Sequence, residues 1–281
     1  MSDFLLARWA GSRTLWVAGM ILAAVAVLAV IAPWITPYNP AAFAVRFRFA
    51  SPSLAHPFGT DEFGRDVFSR VLAGARYSLA MGFGAMAISV IVGVPLGLLA
   101  AFHRGVVEEV IMRAVDLLIS LPPILLGLLI LAVTPANLWK TIVAVGIVYV
   151  PILARLTRSV ALGLLEEDFI EAARARGEGA VSILVREILP NAWPPIIVES
   201  GLRVTFAILL GSSLSFLGLG PQPPSSEWGL MIAESRQFID RAPWIGLAPG
   251  LSLCALLVAV NLFGEGLRET LDPQLRGRGD G

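Results

Sequence analysis

The chain has 281 residues, 56% of them hydrophobic and 15% charged, and a mean hydropathy of +0.77. That is too apolar for a soluble domain of this length and reads as an all-α integral membrane protein. Its 21 basic residues balance 21 acidic ones, so bulk charge points neither to a nucleic-acid binder nor to a polybasic surface protein, although lipid contact is expected along the apolar runs. Cys254 is the single cysteine and sits in an apolar run, where it reads as a small buried hydrophobe. His56 and His103 stand far apart with no cysteine or paired-histidine spacing beside them, which argues against a metal site.

Arg8 and Arg13 precede an apolar run over 15–35, close to the roughly 20 residues a helix needs to cross a bilayer. The run exceeds an ordinary signal-peptide core and is read as a retained first span. The chain is then polar and Pro-rich to Val71, forming a loop on the side opposite the N-terminus. Within it, Thr60 or Asp61 is expected to cap a short helix that carries acid first and base later, shaping the entry to the second span.

The second span covers about 79–102 and contains Gly93 and Gly97, whose spacing lets helix backbones approach, within the chain or across to another subunit. A polar turn over 103–113 leads to a third span over about 114–133, kinked at Pro122 and Pro123. Near its start Asp116 is expected to pair with Arg113. The fourth span covers about 141–162, with Arg155 and Arg158 snorkelling from its last turns. The fifth begins after Trp193-Pro194-Pro195 and runs to about Leu219. It holds Glu199 and Arg203 four apart, placed to neutralise each other or to line a polar pathway together with Ser213. An outer loop with a partly embedded helix near Trp228 to Ile232 precedes a sixth span over about 244–263 and a tail bearing Arg268, Arg276 and Arg278. Basic residues favour the side of the N-terminus, which places both termini in the cytoplasm. The chain divides into 1–75, with the first span and outer loop, and 76–281, a five-helix core.

Between the fourth and fifth spans lies a polar island, about 164–192. Glu166-Glu167-Asp168 opens an Ala-rich stretch that favours helix, Gly177 permits a sharp bend, and Pro190 limits a second helical segment. Catalytic chemistry is missing from the chain. The only lysine, Lys140, does not follow a glycine-rich phosphate loop, and Ser212, Ser213 and Ser215 have no histidine base near them in sequence. The chain is therefore not an ATPase of that type.

Glu171-Ala172-Ala173, with Gly177 and then Leu189-Pro190 downstream, resembles the EAA loop of binding-protein-dependent ABC importer permeases. Ile188-Leu189-Pro190-Asn191-Ala192, the segment His56 to Arg70 and the run Leu214 to Gly220 are similar to the C-type subunit of the peptide and nickel branch. The general family pattern has isoleucine two residues before the leucine, where this chain has Glu187. The resemblance covers most of 52–271. It implies a type I importer permease fold of six transmembrane helices, a coupling role for Glu171, Ala172, Ala173, Gly177, Leu189 and Pro190, and a location in the bacterial inner membrane. The implied partners are a second, different permease subunit, two cytoplasmic ATPases that use ATP and Mg, and an external binding protein that delivers dipeptides or oligopeptides. Nickel, glutathione or another small solute is the alternative cargo. An ion-coupled secondary transporter is the first rival and an intramembrane enzyme the second.

Overall fold

The computed structural model of the protein describes residues 13–133 and 135–271; Arg8, Thr134, Arg276 and Arg278 lie outside them. Nine helical elements follow one another among the described residues: α1 (Arg13–Ile35), α2 (Val67–Phe102), α3 (Val106–Ile119), α4 (Pro123–Ala132), α5 (Leu138–Leu164), α6 (Asp168–Ala175), α7 (Ala180–Phe216), α8 (Trp228–Ser235) and α9 (Trp244–Leu271). Short 3₁₀ turns add to these at Val45–Phe47 and Arg236–Phe238. The described residues hold no strand, only an isolated bridge between Thr60 and Asp66. Five helices, α1, α2, α5, α7 and α9, are long and apolar enough to cross a membrane alone.

The centre of the bundle is the pair α2 and α5. A methyl group at Gly93 would lie 2.8 Å from the Val150 carbonyl, and one at Gly97 would lie 2.4 Å from the Ala154 carbonyl. The small residues therefore bring two helices of the same chain into backbone contact, which settles the partner of the Gly93/Gly97 pattern. Ser89 Oγ donates across this seam to the Gly146 carbonyl at 2.7 Å. Contacts advance together in sequence, Ser89 with Gly146 and Gly97 with Ala154, so α2 and α5 run parallel.

Parallel neighbours need a return crossing between them, and α3 with α4 supplies it. The expected third span is not one kinked helix: α3 and α4 meet at 95°. Pro122 and Pro123 explain the break, because proline lacks an amide donor and disfavours helical backbone in the residue before it. With ten residues, α4 is about 15 Å long, so only the bent pair taken together amounts to a sixth crossing. Asp116 pairs with Arg155 of α5 and not with Arg113, which instead faces Glu109. Arg158 pairs with Glu108, so two ion pairs tie α3 to α5.

Two further expectations about helix limits change. The long second helix starts at Val67, twelve residues before the apolar run, and Asp66 caps it by accepting from Ser69 N at 2.8 Å. No short helix forms over 60–66, where Thr60 and Asp61 shape a turn closed by the Thr60–Asp66 bridge. The fifth span does not begin after Pro195. Helical backbone continues from Ala180 to Phe216, and a π-turn over Ile183–Ile188 comes immediately before Leu189-Pro190. The wider turn accommodates a residue that cannot donate to the preceding turn. The short helix expected near Trp228 is present as α8. Cys254 faces outward and is exposed, not buried; in a uniformly apolar helix the sequence carries little sign of which face points in.

Candidate functional site

The polar island folds as α6, a bend, and the start of α7. Asp168 and Glu171 occupy the first turn of α6 and Arg174 the last, an order that suits the helix dipole. Ile170 and Ala173 are fully buried in an apolar cluster with Ala101 of α2, Ala161 of α5, and Ile188 and Ala192 of α7. Glu171, Ala172 and Arg174 are exposed. The two alanines therefore divide their work: Ala172 faces outward, whereas Ala173 is the packing contact that seats α6 on its own bundle.

Gly177 ends α6 with φ +79°. Gly177 N donates to the Arg174 carbonyl at 2.9 Å and Glu178 N to the Ala173 carbonyl at 3.2 Å, the paired bonds of a Schellman cap. No atom lies within 4 Å of an added methyl group, so the glycine is required by backbone conformation and not by space. Beyond the bend, Glu178 accepts from Arg176 Nη2 at 2.6 Å and from Ser182 Oγ at 2.9 Å, and Arg176 also reaches Glu187 at 3.2 Å. The Arg176 hydrogen bond, then that from Ser182, holds the Glu178 carboxyl below the usual range. Leu189 is half-buried and Pro190 exposed at the foot of α7. A cleft of about 550 Å³ between the end of α2 and α6 is lined by Phe102, Arg104, Glu166, Glu171 and Arg174.

The structure also places Glu199, Arg203 and Ser213 on one face of α7. Glu199 and Arg203 form an ion pair, with side chains about a quarter to a third exposed. Phe206, Leu209 and Leu217 continue that face at spacings of three and four, each about half exposed. Ser213 Oγ donates to the Leu209 carbonyl at 2.8 Å and, with Leu209 and Leu217, lines a groove of about 290 Å³ shared with Ile124, Ile232 and Leu253. A charge pair within a span faces protein or water more readily than lipid.

At the opposite end of the bundle, the loop over 36–66 is fixed by buried charges. Asp61 Oδ2 accepts from Arg65 Nε at 2.6 Å and from Arg70 Nη1 at 2.7 Å, with all three residues at 1% exposure or less. Arg70 Nη2 donates onward to Glu234 of α8 at 3.0 Å and to the Ser225 carbonyl at 3.1 Å. His56 Nδ1 lies 2.9 Å from Asp66 Oδ1. Burial pushes the Glu62 carboxyl up, outweighing the nearby Arg65. Burial likewise raises Glu227, which caps α8 through Gly229 N and Leu230 N. Sequence reasoning missed this network. The Asp61–Arg65 spacing was a local signal, but nothing in the sequence linked either residue to Glu234.

Residues 93–277 match the family model described as "binding-protein-dependent transport system inner membrane component". The chain is 42% identical over 257 residues to a dipeptide transport system permease protein, DppC, of Alkalihalophilus pseudofirmus, covering 92% of this chain and 84% of that protein. A glutathione transport system permease protein, GsiD, of Escherichia coli is 41% identical, over 89% of this chain and 83% of its own length. Among solved structures, an inward-facing form of the MetNI methionine ABC transporter superposes with a TM-score of 0.60 at 18% identity, covering 72% of this chain and 96% of that one.

Proposed function

The chain belongs to the inner membrane components of binding-protein-dependent transport systems, and from that premise we propose that it carries dipeptides or short oligopeptides as one permease subunit of an ATP-driven importer. It is a transport subunit and not an enzyme. The 42% identity to a dipeptide permease over nearly the whole chain is the observation that carries the peptide reading. A second, different permease completes the pathway, with Glu199, Arg203 and Ser213 on the face of α7 turned toward it.

The polar island lies in the cytoplasm, with both termini on the same side, and receives one of two ATPase subunits, which hold ATP and Mg themselves. Glu171 and Ala172 on the exposed face of α6 make the contact, beside the cleft that holds Arg174. Ala173 seats the helix, and Gly177 joins it through the Schellman cap to α7, whose foot is marked by Leu189 and Pro190. A push on α6 then reaches the α7 face through continuous helical backbone.

The test is peptide uptake by proteoliposomes holding the two permeases, the ATPases and the binding protein. ATP-dependent uptake is expected, with Glu171→Arg leaving assembly intact and separating ATP hydrolysis from uptake. Uptake driven by a proton gradient without ATP would sink the reading. The glutathione relative supports a second cargo, and competition between glutathione and an unmodified dipeptide for the same importer ranks the two.

A further inference from the structure

The seam between α1 and α2 opens twice. At the loop end a cavity of about 430 Å³ is lined by Ala32 of α1, by Thr36 and Asn39 just past its end, and by Ala73 and Arg76 of α2. Further from the loop a second cavity, of about 360 Å³, is lined by Gly19, Leu22 and Ala26 of α1, Leu79 and Phe83 of α2, and Phe263 of α9. Ala73, Arg76, Leu79 and Phe83 follow one another at spacings of three and four, so both openings lie along one face of α2. On α1 the lining residues run the other way, as antiparallel neighbours must. The seam therefore has a polar head and an apolar trough, with Arg76 and Phe83 about 10 Å apart along the helix.

Arg76 is the cation of the head. It is exposed and stands just before the apolar run of α2. Its Nη2 donates to Tyr77 Oη at 2.7 Å, and its guanidinium lies 4.7 Å from the centroid of that ring. Among the described residues Nε and Nη1 make no hydrogen bond and Arg76 has no ion pair, whereas Arg70, Arg155, Arg158 and Arg203 each face a carboxylate. No acid lines the cavity. Asn39 Oδ1 accepts from Ala41 N at 2.9 Å, which leaves the Asn39 amide nitrogen as a second donor. Trp34 and Tyr38 are exposed beside the same cavity, and such amphipathic rings settle where hydrocarbon meets headgroups.

From this arrangement we infer that the α1/α2 seam binds an anionic phospholipid of the leaflet at the loop end, its phosphate on Arg76 and one acyl chain in the trough against Leu79, Phe83 and Phe263. A planar guanidinium matches phosphate, and a cation in a groove between spans favours anionic headgroups. The lipid fills the gap beside α1 and fastens the first span to the core. The inference stands on the membrane fold and is the same for any cargo.

The experiment is native mass spectrometry of the assembled importer with phosphatidylglycerol, phosphatidylcholine or inorganic phosphate added, beside thermal unfolding under the same conditions. Wild type is expected to keep phosphatidylglycerol in preference and to unfold at a higher temperature with it. Arg76→Gln is expected to weaken that lipid by about tenfold and to remove the preference. Ala26→Phe, at an exposed position that lines the trough, is expected to weaken both lipids alike. Arg46→Gln, an exposed arginine that lines neither cavity, is the control and should leave both within about twofold. Equal retention of the two lipids by wild type, or an Arg76→Gln variant indistinguishable from the control, overturns the inference. Stabilisation by inorganic phosphate as large as that by phosphatidylglycerol, lost in Arg76→Gln and kept in Ala26→Phe, overturns it in favour of a free anion. A wild type that keeps no lipid, beside an Arg76→Gln variant that loses its second permease subunit, overturns it in favour of a contact between subunits.

Discussion

At the loop end of the bundle the acids are inside and the exposed charge is mostly basic; at the island end Glu166, Glu167, Asp168, Glu171, Arg174 and Arg176 all stand on the surface. The first arrangement uses charge to build. Some thirty residues of irregular chain keep one shape because Asp61, Arg65, Arg70 and Glu234 are hydrogen-bonded to one another below it. The second uses apolar anchors, Ile170, Ala173 and Ile188, which leaves Glu166, Glu167, Glu171 and Arg174 on the surface. A loop with little apolar burial of its own is fixed by ion pairs, and a short helix that reaches the core is not.

The sharpest way to break that contrast is Asp61→Ala. It removes the carboxylate that two buried guanidiniums share, leaving them Glu62 and Glu234, at a cost of about 3–5 kcal/mol, and should lower the midpoint of thermal unfolding in detergent far more than any charge removal at the island end. A small change would show that the network is dispensable. At the island end, Ile170→Ala removes an anchor with no exposed surface and should cost about 2–5 kcal/mol. Faster amide exchange confined to α6 and the foot of α7, with the loop end unchanged, is the expected pattern.

Gly177→Ala is a milder test of the same end. Open space surrounds the site, so only the positive φ is penalised, at about 1 kcal/mol, and local exchange in the bend should rise without loss of the folded complex. The smallest effect is in pH, and its sign differs between the ends. Glu178 is held low by Arg176, so its contribution is present above the unfolded pKa and lost as pH falls through the folded one. Glu62 and Glu227 are held high by burial, so they bind a proton more tightly folded than unfolded, and stability declines as pH rises from the ordinary carboxylate range through their folded values. Amide exchange against pH, read separately at the two ends, should show opposite slopes, and Glu62→Gln should flatten the slope at the loop end.

What the sequence made legible follows from distance along the chain. The Glu199–Arg203 pair, the bend at Gly177 and the short helix at Trp228 are local patterns, and each is found in the structure. Asp116 was assigned to the neighbour three residues away because nothing in sequence announces Arg155 across the helix pair. The tandem prolines announced a kink, but its 95° size depends on what α3 and α4 pack against. Thr60 and Asp61 cap no short helix of their own: the helix begins at Val67 under Asp66, and Asp61 is taken up by the ionic network.

The parallel seam of α2 and α5 also bears on how the chain is made. Ser89 and Gly146 are 57 residues apart, so at ribosomal speeds roughly 3 to 11 s separate the synthesis of one from that of the other. Through that interval the small-residue face of α2 must wait without its neighbour. Ser89 Oγ also reaches the Ala85 carbonyl of its own helix at 3.0 Å, so the hydroxyl has a place for its proton in hydrocarbon before α5 arrives, and the helix can be inserted first and matched later.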